Sequence, residues 1–240
     1  MRYAIYFATP ETSSLMQLGN RWLGRDPFTG QALEQPPIDA LSAQRFAELT
    51  TDPRRYGFHG TLRAPFHIRD GLHEADLLRV CETFAARTAP FTTTGLSVNA
   101  LGRFLALTPS EPDAALNTFA NACVRHFEPC RAPLDDADLA RRRRSGLTPR
   151  HDELLQAWGY PYVFDAFRFH MTLSNKLEDD VERDALNAAA RAFFAPVVDE
   201  PMHIQTFGLY QEVERGAPFT VHTIFTLAGA HIPAEADPTT

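Results

Sequence analysis

RRYGFHGTLRAPF (residues 54–66) and FDAFRFHMTLSNKL (residues 164–177) share a four-residue core, His59-Gly60-Thr61-Leu62 in the first and His170-Met171-Thr172-Leu173 in the second. Both stretches read as β-strands, because apolar side chains alternate with polar ones at the two-residue period of extended chain. With 9 His, 21 Thr and 25 Leu in 240 residues, H-x-T-L is expected by chance about 0.1 times. Two copies at corresponding points of a repeated plan therefore ask for a common cause.

Outward from the two copies, that plan can be followed along the chain. MRYAIYF alternates Tyr3, Ile5 and Phe7 against Arg2, Ala4 and Tyr6 and reads as a first strand. Residues 11–23 form an amphipathic helix that Ser13 or Thr12 can cap, residues 24–37 are loop, and a short helix at 42–50 stops at Pro53. Past the first H-x-T-L come a helix at 74–88, a hairpin around Gly102 at 95–108 and a helix at 112–127. A polar helical stretch at 135–158, broken near Ser145-Gly146 and Pro149, docks through Leu154, Leu155 and Trp158. Past the second copy come a helix at 179–194, a strand at 203–213, a turn at Arg215-Gly216 and a partner strand at 219–227. Strand, helix and strand pair thus occur twice. The expected architecture is a two-lobed α+β chain with pseudo-twofold symmetry, one bilobal domain over residues 1–228 and a frayed tail over 229–240.

Composition narrows the function. Hydrophobic residues at 44% and charged residues at 22% are ordinary globular values. No apolar run approaches the ~20 residues that span a bilayer, and the first residues are too short an apolar stretch for a secretory signal. A soluble, cytoplasmic protein without membrane partners is expected. A net charge of −7 repels polyanions and argues against a role in coating DNA or RNA, while leaving room for a small phosphorylated ligand in a locally basic pocket. Cys81, Cys123 and Cys130 are odd in number and form no C-x-x-C, so they read as core thiols rather than disulfide or zinc ligands. The histidines show no metal-ligand spacing, and neither metal nor cofactor is expected.

The two strands present matching chemistry. In the second, Phe167, Phe169, Met171 and Leu173 share one face, and Arg168, His170 and Thr172 the other. In the first, Phe58, Gly60 and Leu62 oppose His59, Thr61 and Arg63. Each polar face puts an imidazole, a hydroxyl and a guanidinium within two steps of about 7 Å, a poor core but a good anion site. Two imidazoles flanking one phosphorus can run acid/base catalysis together. One takes a proton from the attacking water and the other gives one to the leaving oxygen. An ordinary histidine pKa of about 6.5 predicts a bell-shaped profile with limbs between about 5 and 8. Thr61 and Thr172 would donate to non-bridging oxygens, and arginines would neutralise growing charge.

The paired motif in a duplicated chain resembles the two-histidine (2H) phosphoesterase superfamily, over roughly residues 1–228. YGFHGTLRAPF and WGYPYVFDAFRFHMTL resemble the branch of it found with bacterial phosphonate-degradation operons. The resemblance implies a bilobal fold with two antiparallel sheets lining a central cleft and helices outside, and metal-independent phosphodiester chemistry. It implies His59 and His170 as the acid/base pair and Thr61 and Thr172 as phosphate hydroxyls. Gly60 departs from the pattern, which usually has an apolar residue there, and is expected to weaken packing beneath the strand.

Other candidates carry competing readings. Arg63 and Arg168 either bind phosphate, or close a sheet edge or pair with a carboxylate such as Asp165. Lys176 either enters the cleft or solvates a loop, and Tyr6 either donates to substrate or packs. The run Arg141–Arg144, beside Asp135, Asp136 and Asp138, reads as a solvated helix with internal ion pairs that can also rim the cleft. The expected activity is hydrolysis of a small cyclic phosphodiester, either a ribose cyclic phosphate or a 2′,3′-cyclic nucleotide. The alternatives are a phospho-metabolite-binding protein that turns nothing over, or an enzyme that processes or joins RNA ends.

Overall fold

The computed structural model describes residues 1–231 except 145 and 199. Its strands are β1 (Arg2–Phe7), β2 (Gly60–Phe66), β3 (Phe91–Thr93), β4 (Leu96–Leu101), β5 (Phe104–Pro109), β6 (Met171–Thr172), β7 (Met202–Ile204), β8 (Thr206–Glu212) and β9 (Thr220–Thr226). Its α-helices are α1 (Ser14–Leu23), α2 (Ala43–Leu49), α3 (Thr51–Tyr56), α4 (Glu74–Arg87), α5 (Ala114–Phe127), α6 (Asp136–Arg143), α7 (Pro149–Trp158) and α8 (Asp180–Phe194). Local chemistry marks their ends. Ser13, Ser42, Asp113, Thr148 and Asp179 each accept a backbone N–H of the first turn, and Gly24 and Gly159 close α1 and α7 in the left-handed conformation.

Seven strands join in the order β4-β5-β6-β2-β1-β8-β9, all neighbours antiparallel, and β3 pairs with β7 in a small second sheet. The α+β class is as expected. The strand sets of the two lobes meet at the β2–β6 pair, where Gly60 lies opposite Met171, and so run on as one large sheet. The halves are also exchanged: hairpin β4–β5 of the first half flanks β6 of the second, and hairpin β8–β9 of the second flanks β1 of the first. Helices pack across the exchange, with α4 against β9 and α8 against β4, while α5 covers β2 of its own half. One continuous core, rich in buried phenylalanine, runs beneath both lobes, and Val124, Leu154 and Val163 form a smaller cluster with Trp158 packed on it. All three cysteines are free and buried.

Two strand expectations need correction. Residues 51–56 form α3, since Pro53 sits in a first helical turn where its missing N–H costs nothing. The first H-x-T-L strand accordingly starts at Gly60, not at 54. The second reduces to Met171–Thr172, because 164–166 coil into a 3-10 turn with Phe164 at φ +54. That strained residue is held by its ring, which meets Trp158 edge-on at 4.8 Å and lies 4.8 Å beneath Arg125. The tail is tied down over its first residues, where Gly229 N donates to Thr88 O and Ala89 N to His231 O. Residues 232–240 and Ser145 lie outside the described residues, and the helical break falls between Arg143 and Pro149. Among the described residues no helix is long and apolar enough to cross a membrane.

Candidate active site

His59 and His170 are built alike. The Nδ1 of His59 lies 2.7 Å from Gly57 O, and the Nδ1 of His170 lies 2.8 Å from Arg168 O. A carbonyl only accepts, so each Nδ1 carries its proton and each Nε2 is left with the lone pair. The Nε2 of His59 is 3.1 Å from Thr61 Oγ1, which therefore donates to it in the neutral ring. Continuing the Gly60–Met171 register sets His59 beside Thr172 and Thr61 beside His170. Matching this, His59 and Thr172 line one hollow and Thr61 and His170 the next, the two meeting at Phe104.

Burial tunes both rings. It pushes His59 down to about 4, a shift that the Gly57 carbonyl opposes and the nearby His170 reinforces. Burial also lowers His170, against its bond to Arg168 O. The unperturbed pKa of about 6.5 assumed from sequence is thus too high for these half-buried rings. Tyr6 stacks on His59 with ring centroids 3.7 Å apart and planes 20° off parallel. It is fully buried, which pushes its hydroxyl well above the ordinary range, and it lines the cleft as the platform of the imidazole.

Gly60 has a reason the sequence did not reveal. A Cβ there would stand 2.7 Å from the Phe169 ring, so the missing apolar group is supplied from the second motif. Arg63 leaves the face it was expected to share with His59 and Thr61. The β1–β2 register slips between Ile5–Arg63 and Tyr6–Thr61, and this bulge turns Arg63 toward α5. There it is buried, donates to Val124 O at 2.6 Å and pairs with Glu128, and it is absent from the lining of the cleft that holds His59. Arg168 is exposed, donates to Asp165 O and Phe167 O, and lines the hollow beside His170, while Asp165 pairs with Arg150 instead. Lys176 is exposed and lines the hollow of His59 and Thr172.

The basic wall comes from elsewhere. Among the described residues, Arg2, Arg55, Arg141, Arg142 and Arg215 line the cleft of about 500 Å³ that also contains Tyr6, His59, Thr61 and Thr172. The run at 141–144 therefore serves both readings: Arg141 pairs with Asp138 and Arg143 with Asp152, yet Arg141 and Arg142 face the cleft. Tyr56 and Tyr160 complete the walls, with Arg55 4.2 Å above the first ring and Arg142 5.3 Å from the second. Of these, Arg141 and Arg142 had a sequence signal in the basic run and Arg2 in the strand parity it shares with Tyr6, while Arg55, Arg215, Tyr56 and Tyr160 had none. Among the described residues, no three His, Cys, Asp or Glu side chains converge as a metal site.

Fold and site together define an α+β protein whose two H-x-T segments meet beneath an arginine-walled cleft. The chain belongs to the family described as "Protein of unknown function (DUF1045)", which matches residues 61–220. It is 39% identical over 221 residues to a protein of Janthinobacterium sp. (strain Marseille) and 38% identical over 220 residues to one of Laribacter hongkongensis (strain HLHK9), both named ribose 1,5-bisphosphate phosphokinase PhnN. Each match takes in 91% of this chain and 49% or 50% of the relative, so the chain spans about half the length of these curated relatives. Among solved structures, TT0787 of Thermus thermophilus aligns with a TM-score of 0.46 and 17% identity, covering 96% of this chain and 100% of that one. LigT of E. coli, solved with 3′-AMP, aligns with a TM-score of 0.41 and 14% identity over 94% of this chain and 97% of its own.

Proposed function

We propose that the chain is a phosphodiesterase that hydrolyses a small cyclic phosphodiester by two-histidine acid/base catalysis. The observation that carries this reading is the matched pair of imidazoles on adjacent strands, each fixed through Nδ1–H to a carbonyl two residues back, with the Nε2 of His59 3.1 Å from Thr61 Oγ1. In the step proposed, one neutral Nε2 takes a proton from water as its oxygen bonds to phosphorus. The other ring, protonated, gives its Nε2 proton to the ester oxygen as that P–O bond breaks. Thr61 and Thr172 donate to the non-bridging oxygens, which gain charge in the transition state. Water adds and one ester bond opens, so a cyclic diester yields a single monoester. Binding alone needs arginine and hydroxyl groups, not two titrating rings, which favours catalysis over sensing.

Two substrates fit the reading, a ribose cyclic phosphate and a 2′,3′-cyclic nucleotide. The relatives' name refers to a phosphorylated ribose, which favours the first and a role in phosphonate breakdown. Phosphoryl transfer from a nucleoside triphosphate is not proposed, since the sequence has no G-x-x-x-x-G-K-[ST] loop and its single lysine is Lys176. The test is ³¹P NMR in EDTA with ribose 1,2-cyclic phosphate and a 2′,3′-cyclic nucleotide offered side by side. Ring opening by the wild type is expected, with losses of ~10²–10⁴ for His59→Ala and for His170→Ala. Full activity in either variant would remove the two-histidine mechanism, and activity that disappears in EDTA would remove its metal independence.

A further inference from the structure

Outside the histidine–threonine centre, the cleft has a wall of cations that hydrolysis of a simple monoanionic diester does not use. Among the described residues, two carboxylates hold four of its arginines in fixed positions. Glu212 is fully buried and accepts from Arg2 at 2.5 Å, Arg55 at 3.2 Å and Gly216 N at 2.9 Å. Asp138 is gripped by both ends of the Arg215 fork, at 2.7 and 3.0 Å, and by Arg141 at 2.6 Å. Four guanidiniums on two carboxylates leave two positive charges facing a cavity of about 500 Å³, in a chain whose net charge is −7. Arg142 adds a fifth guanidinium to this wall.

The excess has the form of a binding site, not of general surface charge. All five are arginines, whose planar forks match phosphate oxygens, and the chain's single lysine lies in a neighbouring hollow. Carboxylates and tyrosine faces hold the guanidiniums in place before any ligand arrives, which lowers the entropy lost on binding. A phosphodiester at the histidines carries one negative charge. A phosphomonoester carries about 1.5 to 2 near neutral pH, close to the two positive charges that Glu212 and Asp138 leave on their four arginines.

We infer that the arginine wall holds a second, non-reacting phosphate, so that the preferred substrate is a cyclic phosphodiester that also bears a phosphomonoester. This deepens the function proposed above and rests on it for the reacting end only. Arg55 and Arg215 would grip the monoester, and each can be replaced without stranding a buried charge. Glu212 keeps Arg2 when Arg55 is lost, and Asp138 keeps Arg141 when Arg215 is lost.

The test compares kcat/KM for ribose 1,2-cyclic phosphate with and without a 5-phosphate, in the wild type, Arg55→Met and Arg215→Met. The wild type is expected to prefer the phosphorylated form by about 100-fold, and each variant to lose roughly tenfold or more of that preference. Equal kcat/KM for the two esters in the wild type, or an undiminished preference in both variants, overturns the inference. Calorimetry with ribose 5-phosphate on His59→Ala separates the two proposals. Binding that weakens in Arg55→Met, without turnover of either ester by the wild type, supports the phosphate site while the catalytic reading fails. Turnover without preference, and without ribose 5-phosphate binding, overturns the site and leaves the catalytic reading standing.

Discussion

In the mechanism proposed, the imidazoles at residues 59 and 170 work only in opposite protonation states, and their partial burial sets the pH at which that happens. In the free protein His59 is held down to about 4 and His170 below its ordinary value. Fewer molecules then hold the single proton the pair needs as pH rises, so the optimum of kcat/KM, which reports free enzyme, should fall on the acidic side of about 6.5. Bound phosphate adds negative charge beside both rings, favours their charged forms and should move the kcat profile upward. Steady-state rates from about pH 4 to about pH 8 check both expectations. A kcat/KM optimum above about 7 would contradict the burial argument. Tyr6 belongs to this scale as well, since its stacked ring excludes water from one face of His59.

Elements decide which of the expected side chains reach the cleft. Gly60 of β2 and Phe169, just ahead of β6, share one space, so Gly60→Ala should destabilise by about 1–3 kcal/mol and lower activity through the displaced neighbour of His170. Gly60→Ala combined with Phe169→Leu should recover part of the stability, and denaturant melts of the three variants measure the coupling. Arg63 supports α5, not the phosphate. Arg63→Met should cost roughly 1–3 kcal/mol with KM unchanged, softened because Glu128 keeps Arg131 at 2.6 Å. A raised KM with unchanged stability would return Arg63 to the site. The H-x-T-L pairs, the caps and the helices were legible in sequence because each is a local pattern with a local cause. The register slip that turns Arg63 away and the Phe164 turn that shortens β6 depend on partners distant in sequence, β1 for the first and Arg125 for the second. The arginine wall was legible only in the run at Arg141–Arg144, because Arg2, Arg55 and Arg215 reach the cleft from separate stretches that no period links.

Across the whole molecule, the exchange of hairpins ties the site to the stability of both halves. The β2–β6 ladder has one register pair, Gly60–Met171, so the spacing of the imidazoles depends on the hairpins that flank it. Each of those hairpins belongs to the opposite half of the chain, and each is covered by a helix from its own opposite: α8 on β4, α4 on β9. Neither half can leave without removing strands from the other's sheet. Unfolding should therefore be a single cooperative transition despite two lobes and 240 residues. Trp22 offers a probe within one lobe, since it packs on Phe46, Phe193 and Phe194 and its indole N–H donates to Leu173 O at 2.9 Å. In Trp158→Phe, where Trp22 is the remaining tryptophan, its fluorescence and the far-UV ellipticity of the whole chain should change at one urea midpoint. Loss of the proposed phosphodiesterase activity should follow the same curve, because the spacing of the two rings depends on both hairpins. Separate midpoints would mean that the lobes unfold independently and that the exchange contributes little to their cohesion.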